Sequence, residues 1–197
     1  MDAWAAKARG RREASRLKPL LRRTRMWGFL AMSRARYEGP GHRALRAGRE
    51  SVAGEWYAIT TCSRGVDLRP GASIVIETAK ALDEEGLVAL FAVVVMPDHC
   101  HLVFELRDGA TLADVMQLLK GRSSHAINRV MGRRGALWQR GFYEHLVRSP
   151  DEGYAAWWYV LNNPVRRGWV TRWEDYPHTY TVPYPEERVT GAVRRPW

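Results

Sequence analysis

The sequence predicts an α+β domain: a ferredoxin-like antiparallel sheet with helices on one face. Three observations carry this. Hydrophobic periodicity switches along the chain in the order strand, helix, strand, strand, helix, strand, then a further helix. The run at 87–96 (LVALFAVVVM) is apolar at every position, as a strand buried on both faces requires. Met96, Pro97 and Asp98 then interrupt it, and a second apolar segment follows at 99–106, which reads as the antiparallel return strand.

Residues 55–63 (EWYAITTCS) are aromatic and β-branched and predict the first strand. Residues 64–71 form a loop containing Gly65, Pro70 and Gly71. Residues 72–85 place Ile74, Ile76, Ala79 and Leu82 at mixed helical spacing, and Gly86 ends that helix. After the two central strands, Asp108 and Gly109 break the pattern. Leu112, Val115, Met116, Leu119, Ile127 and Val130 then predict a long helix over about 111–131, whose other face carries Lys120, Arg122 and Arg129. A basic turn at 132–135 leads to one more strand within 137–147. Ser149, Pro150 and Glu152 form a helix start in which Ser149 caps, Pro150 takes the first helical position and Glu152 completes a capping box. This last helix is expected to run through YAAWWYVLN and stop at Pro164.

Charge divides the chain in two. Residues 1–50 hold 14 Lys+Arg against 4 Asp+Glu, whereas the rest balances 17 against 17, so the net +10 belongs to an N-terminal arm. The domain reading is therefore 1–50, a basic and weakly ordered arm with a helical piece around 11–25, and 51–197, the folded domain with a C-terminal tail. Such an arm suits nucleic acid, although charge alone equally fits a solvated tail. Cys62 and Cys100 give no disulfide framework. The longest apolar run, ten residues, is too short to span a bilayer. The apolar stretch at 27–32 is shorter than the core of a secretory signal. These features predict a cytoplasmic, nucleoid-associated protein with no membrane partner.

The chemistry-bearing residues begin at His99 and His101. Two residues apart on a strand, they share one face. Cys100 faces away, which argues against a zinc site built with it. Tyr159 and Asn163 lie four apart on the last helix and share a face of it, with Asn163 pushed to the helix cap by the following proline. A phenol and an amide on one face suit a metal-assisted attack: the amide completes a His-His-Asn set and the tyrosine is the nucleophile. Such a neutral N and O set suits Mg²⁺ or Mn²⁺ when the substrate supplies negative charge. Tyr143 and Tyr154 are rival nucleophiles, but Val147 and Trp158 stand four residues after them, where a ligand would be needed.

Three segments, VVVMPDHCHLVFEL, WQRGFYEHLVR and YVLNNPVRRGWV, together resemble the single-tyrosine HUH transposases (the IS200-like family), most of all the REP-associated tyrosine transposases. The resemblance covers about residues 53–180. It implies a fold of the HUH endonuclease type, with His99 and His101 binding a divalent metal, Asn163 completing the site and Tyr159 attacking DNA. The implied reaction is cleavage and joining of single-stranded DNA through a 5′-phosphotyrosine, beside short REP-like hairpins. Lys120, Arg122, Arg140, Arg148, Arg166 and Arg167 are candidates to hold the backbone, and His145 to contact DNA or metal. The family more often has Asn where this chain has Asp98, and a larger apolar residue where it has Cys100. The resemblance leaves monomer and homodimer open. Two other functions stand beside it: a non-catalytic module that binds hairpin nucleic acid on the same fold, and a metal-dependent phosphodiesterase that uses water in place of tyrosine.

Overall fold

A computed structural model of the chain describes residues 51–184. The predicted arm at 1–50, its helical piece and the tail beyond 184 lie outside the described residues. Five strands form one sheet: β1 (Trp56–Cys62), β2 (Val88–Val95), β3 (His99–Leu106), β4 (Tyr143–Leu146) and β5 (Thr179–Thr181). Their order is β4-β1-β3-β2-β5, and every neighbouring pair is antiparallel. The first four strands have the ferredoxin-like arrangement that the sequence predicts; β5 extends it at the β2 edge. The helices are α1 (Ala72–Glu84), α2 (Leu112–Val130), α3 (Pro150–Leu161) and the single turn α4 (Asn163–Arg166).

The period-2 alternation decides what each face of the sheet covers. Tyr57, Ile59, Val93, Val95, Cys100, Leu102 and Phe104 point to one side and pack with Val75 and Leu82 of α1 and Met116, Leu119 and Ile127 of α2. These two helices are those expected on one face. The third, α3, adds a layer on the other: Trp56 stacks on Phe91 with ring centroids 3.9 Å apart, and Trp157 Nε1 donates to Thr181 Oγ1 at 3.0 Å. Strand β2 is buried along its whole length, as its unbroken apolar run requires.

The ends of the elements follow local chemistry. Gly86 (φ +74°) closes α1 in a Schellman turn: its N–H reaches the carbonyl of Asp83, and that of Leu87 reaches Leu82. Thr111 caps α2 and Ser149 caps α3 through side-chain oxygens that accept from Asp114 N and Glu152 N. Glu152 departs from the predicted capping box. It accepts the N–H of Arg148, not that of Ser149, and its second oxygen holds His145 Nε2 at 2.8 Å.

Two predicted elements are shorter than expected. Of the strand predicted within 137–147, only Tyr143–Leu146 pairs along its length, and Trp138 makes one isolated bridge to Ser63. Gly141 turns the chain at φ +74°, and the Lys120 ammonium takes the carbonyls of Gln139 and Gly141, each at 2.7 Å, which diverts them from a sheet ladder. The last helix stops at Leu161, one residue short of the predicted run through Asn162. The missing N–H and the ring of Pro164 forbid its continuation, yet both suit a new first turn, so Asn163–Arg166 starts afresh as α4. Among the described residues, no helix is long and apolar enough to cross a membrane.

Candidate metal and nucleophile site

The register of β1 against β3 pairs Thr60 with His101 and Cys62 with His99, so all four side chains project from one sheet face. That is the α3 face. Cys100 points the other way and is fully buried in the α1–α2 core, where burial alone pushes its thiol well above the ordinary range. Both histidines are only 1% exposed. Their Nε2 atoms meet at 3.1 Å, a separation that demands something positive between two ring nitrogens: a shared proton or a cation.

The far side of each ring is also held. His99 Nδ1 lies 2.6 Å from Asp98 Oδ1, and His101 Nδ1 lies 2.8 Å from Thr60 Oγ1. The carboxylate takes the Nδ1 proton of His99, which leaves its Nε2 lone pair for the centre of the site. Asp98 therefore acts on the ring from behind and does not join the two Nε2 atoms. The imidazole beside it holds its carboxyl below the usual range. Thr60 is the residue that sequence reasoning missed. Its only available signal was a polar residue inside an apolar strand.

Asn163 offers a third candidate donor. Buried to 5% exposure at the start of α4, it places Nδ2 2.9 Å from His101 Nε2, while its Oδ1 is buried with no hydrogen-bond partner. A half-turn of the amide exchanges the two atoms and aims the carbonyl oxygen at the point the imidazole nitrogens share. Two lone-pair nitrogens and an orphaned buried oxygen, backed by a carboxylate and a hydroxyl, fit a divalent cation. Among the described residues, no group of three His, Cys, Asp or Glu side chains could hold a metal, so a three-donor set here draws on another donor type, for which the buried amide is the candidate.

Tyr159, one helical turn before Asn163, is 6% exposed and sets its ring edge-on to His101 with centroids 6.3 Å apart. Arg166 lies over the same ring at 4.2 Å. Burial raises the phenol's pKa, and the charges of Arg166 and Arg167 oppose that rise. Tyr143 shares the sheet face through its pairing with Thr60, on the far side of β1 from His101. Tyr154 is engaged with Trp158 and Tyr184 in an aromatic cluster.

The predicted basic residues separate into groups. Arg166 and Arg167 gather at the site. Arg140 and Arg148 are exposed on the segments flanking β4. His145 is tied to Glu152, and Lys120 to the loop carbonyls. Arg122 pairs with Glu85 across α1 and α2, the helices on the opposite sheet face.

Burial, then the charges of His99, Arg167 and Arg166, hold the His101 pKa well below its ordinary value. With an unfolded value near 6.5, the unfolded chain gains a proton that the metal-free fold refuses as pH falls below about 6.5. Stability is therefore full above that pH and is lost below it, at up to about 1.4 kcal/mol per pH unit. Urea unfolding in chelator between pH 8 and pH 5 should show this loss, reduced in His101→Gln. An unchanged slope in the variant would remove His101 from the cause.

Comparison with known proteins places the motifs in context. Residues 71–152 match the family model described as Transposase IS200 like. The chain is 30% identical over 98 residues to a putative REP-associated tyrosine transposase of Haemophilus influenzae, covering 45% of this chain and 56% of the relative. It is 31% identical over 85 residues to the REP-associated tyrosine transposase of Escherichia coli, covering 43% and 48%. The chain thus spans about half the length of the curated relatives it matches. A solved structure of a REP-associated tyrosine transposase bound to a REP hairpin shares the fold, with TM-score 0.58, 23% identity and coverage of 66% of this chain and 79% of that one. The chain is similar to the REP-associated tyrosine transposases, and the resemblance carried by its motifs holds.

Proposed function

We propose that this relative of the IS200-like transposases is a metal-dependent strand transferase acting on single-stranded DNA beside REP-like hairpins. One observation carries the reading: two buried Nε2 atoms, the Asn163 amide with its orphaned oxygen, and the Tyr159 ring come together on one sheet face. His99, His101 and Asn163 would hold Mg²⁺ or Mn²⁺. When bound, the ion supplies Lewis-acid polarisation and charge neutralisation at a phosphate.

The chain's own residues then account for the rest. Tyr159 Oη attacks the scissile phosphorus, the P–O3′ bond breaks, and the phenolic proton ends on the departing 3′ oxygen. The products are a 5′-phosphotyrosine and a free 3′-OH. Because the bond energy stays in the ester, the 3′-OH of another strand can reverse the step without ATP. Arg166 and Arg167, beside the phenol, favour its ionised form and attract the phosphate. Asp98 and Thr60 fix ring orientation, so that the metal-facing nitrogens are preorganised.

The test is a labelled single-stranded hairpin incubated with the full chain and Mn²⁺. A covalent protein–DNA adduct that survives denaturation is the expected result. Cleavage without an adduct would point to attack by water, and binding without cleavage to a non-catalytic module.

Asp98 offers a finer check. Asp98→Ala removes the acceptor behind His99 and should lower Mn²⁺ affinity by about 10- to 100-fold. Asp98→Asn keeps an acceptor oxygen at that position and should lose much less. Calorimetric titration compares them; equal losses would mean that carboxylate charge, and not the ring hydrogen bond, is what matters.

A further inference from the structure

We infer that Trp169 and Arg69 form a stacking platform for an unpaired nucleobase of the strand held at the site. The ligand class rests on the single-stranded DNA reading above; the platform itself rests on separate observations. Among the described residues, Val52, Val130 and Trp169 are the large apolar side chains left in solvent, and Trp169, at 45% exposed, is the aromatic one. The Arg69 guanidinium lies over its ring, 5.1 Å from the centroid. A cation on an indole, half in solvent, is an arrangement on which a nucleobase of any sequence can stack.

Both halves of the platform are held. Arg69 Nε donates to both oxygens of Asp67 at 3.0 Å, which holds the guanidinium plane and offsets part of its charge. The pair therefore offers a flat surface more than a phosphate anchor. Trp169 is fixed by a second Schellman turn: Gly168 (φ +72°) donates to Val165, and Trp169 N donates to Pro164 O at 3.0 Å. With its backbone held and its ring against the Arg69 guanidinium, Trp169 has less freedom to lose on binding than an uncontacted side chain.

Position links the platform to the site. Leu68, beside Arg69, donates its N–H to Pro97, the residue before Asp98. Trp169 donates to Pro164, the residue after Asn163. The platform is thus anchored at both points from which the candidate metal donors are presented.

Fluorescence anisotropy with the full chain tests this, using a hairpin with a single-stranded flank and versions with an abasic site at each flank position in turn. Trp169→Ala should weaken binding of the intact flank by about tenfold, with Trp169→Phe recovering most of it. One abasic position should erase the difference between wild type and Trp169→Ala, a coupling that a purely structural role would not produce. Equal affinities on the intact flank, or a Trp169→Ala deficit that persists at every abasic position, would overturn the platform. Adduct trapping on the same samples separates the two readings. Adduct formation with Trp169-insensitive binding sinks the platform alone. Trp169-dependent binding with no adduct sinks the transferase and keeps the platform. Failure of the wild-type chain to bind any of these strands sinks both.

Discussion

Tyr159→Phe should abolish the covalent adduct while leaving hairpin binding in place. The substitution removes one oxygen and keeps the ring, so the edge-on contact with His101 and the Arg166 cation over the ring both survive. The proposed metal donors lie on other side chains and should bind Mn²⁺ as before. With Tyr159 as the proposed nucleophile, loss of its oxygen should lower adduct formation by on the order of 10³-fold or more. Adduct formation by Tyr159→Phe would sink the assignment. Tyr143 would then be the next residue to replace, because it projects from the same sheet face. Burial also predicts how the wild-type chain responds to pH. The phenol's pKa is raised, so adduct formation by the wild-type chain should increase with pH across the neutral range as more of the phenol ionises.

How much of this could be read from the sequence depends on the range of each interaction. The His99–His101 face follows from strand period alone, and the Tyr159–Asn163 pairing from one helical turn; both are local. The β2–β3 hairpin was legible because an apolar run broken by Pro97 and Asp98 admits little else. Thr60 was not legible: its bond to His101 spans 41 residues and exists only through the β1–β3 register. The role of Asp98 was half legible. Adjacency put a carboxylate near the site, but only the turn geometry shows it behind the ring at Nδ1. The placement of α3 was hidden because its sequence is apolar on nearly all sides, which fits either face of the sheet. Strand β5, three residues long and half-buried, has too few positions to show a period.

The metal-free site supplies the second large expectation. His101 is the hub of the proposed donor set: its Nε2 faces both His99 and Asn163, and its Nδ1 is held by Thr60. Removing it takes one nitrogen from the centre and leaves the other two donors without their common neighbour. His101→Ala should therefore lower Mn²⁺ affinity by at least about 100-fold, at the upper end of what loss of a mere supporting contact produces. Thermal shift gives a readout independent of DNA. A ligand at 1,000 times its Kd stabilises a fold by about 4 kcal/mol and one at 10 times its Kd by about 1.4 kcal/mol, so Mn²⁺ should raise the wild-type Tm by several degrees and that of His101→Ala by no more than about a third as much. His99→Ala should behave alike. Asn163→Asp tests the third donor with the opposite sign. A carboxylate in place of the orphaned amide oxygen adds a negative charge toward the two imidazoles, so it should strengthen Mn²⁺ binding and enlarge the Tm shift. Because Asn163→Asp alters charge without emptying volume, a failure to enhance binding could not be assigned to a cavity. It would mean that the buried oxygen faces something other than a cation, and the donor set would reduce to the two histidines.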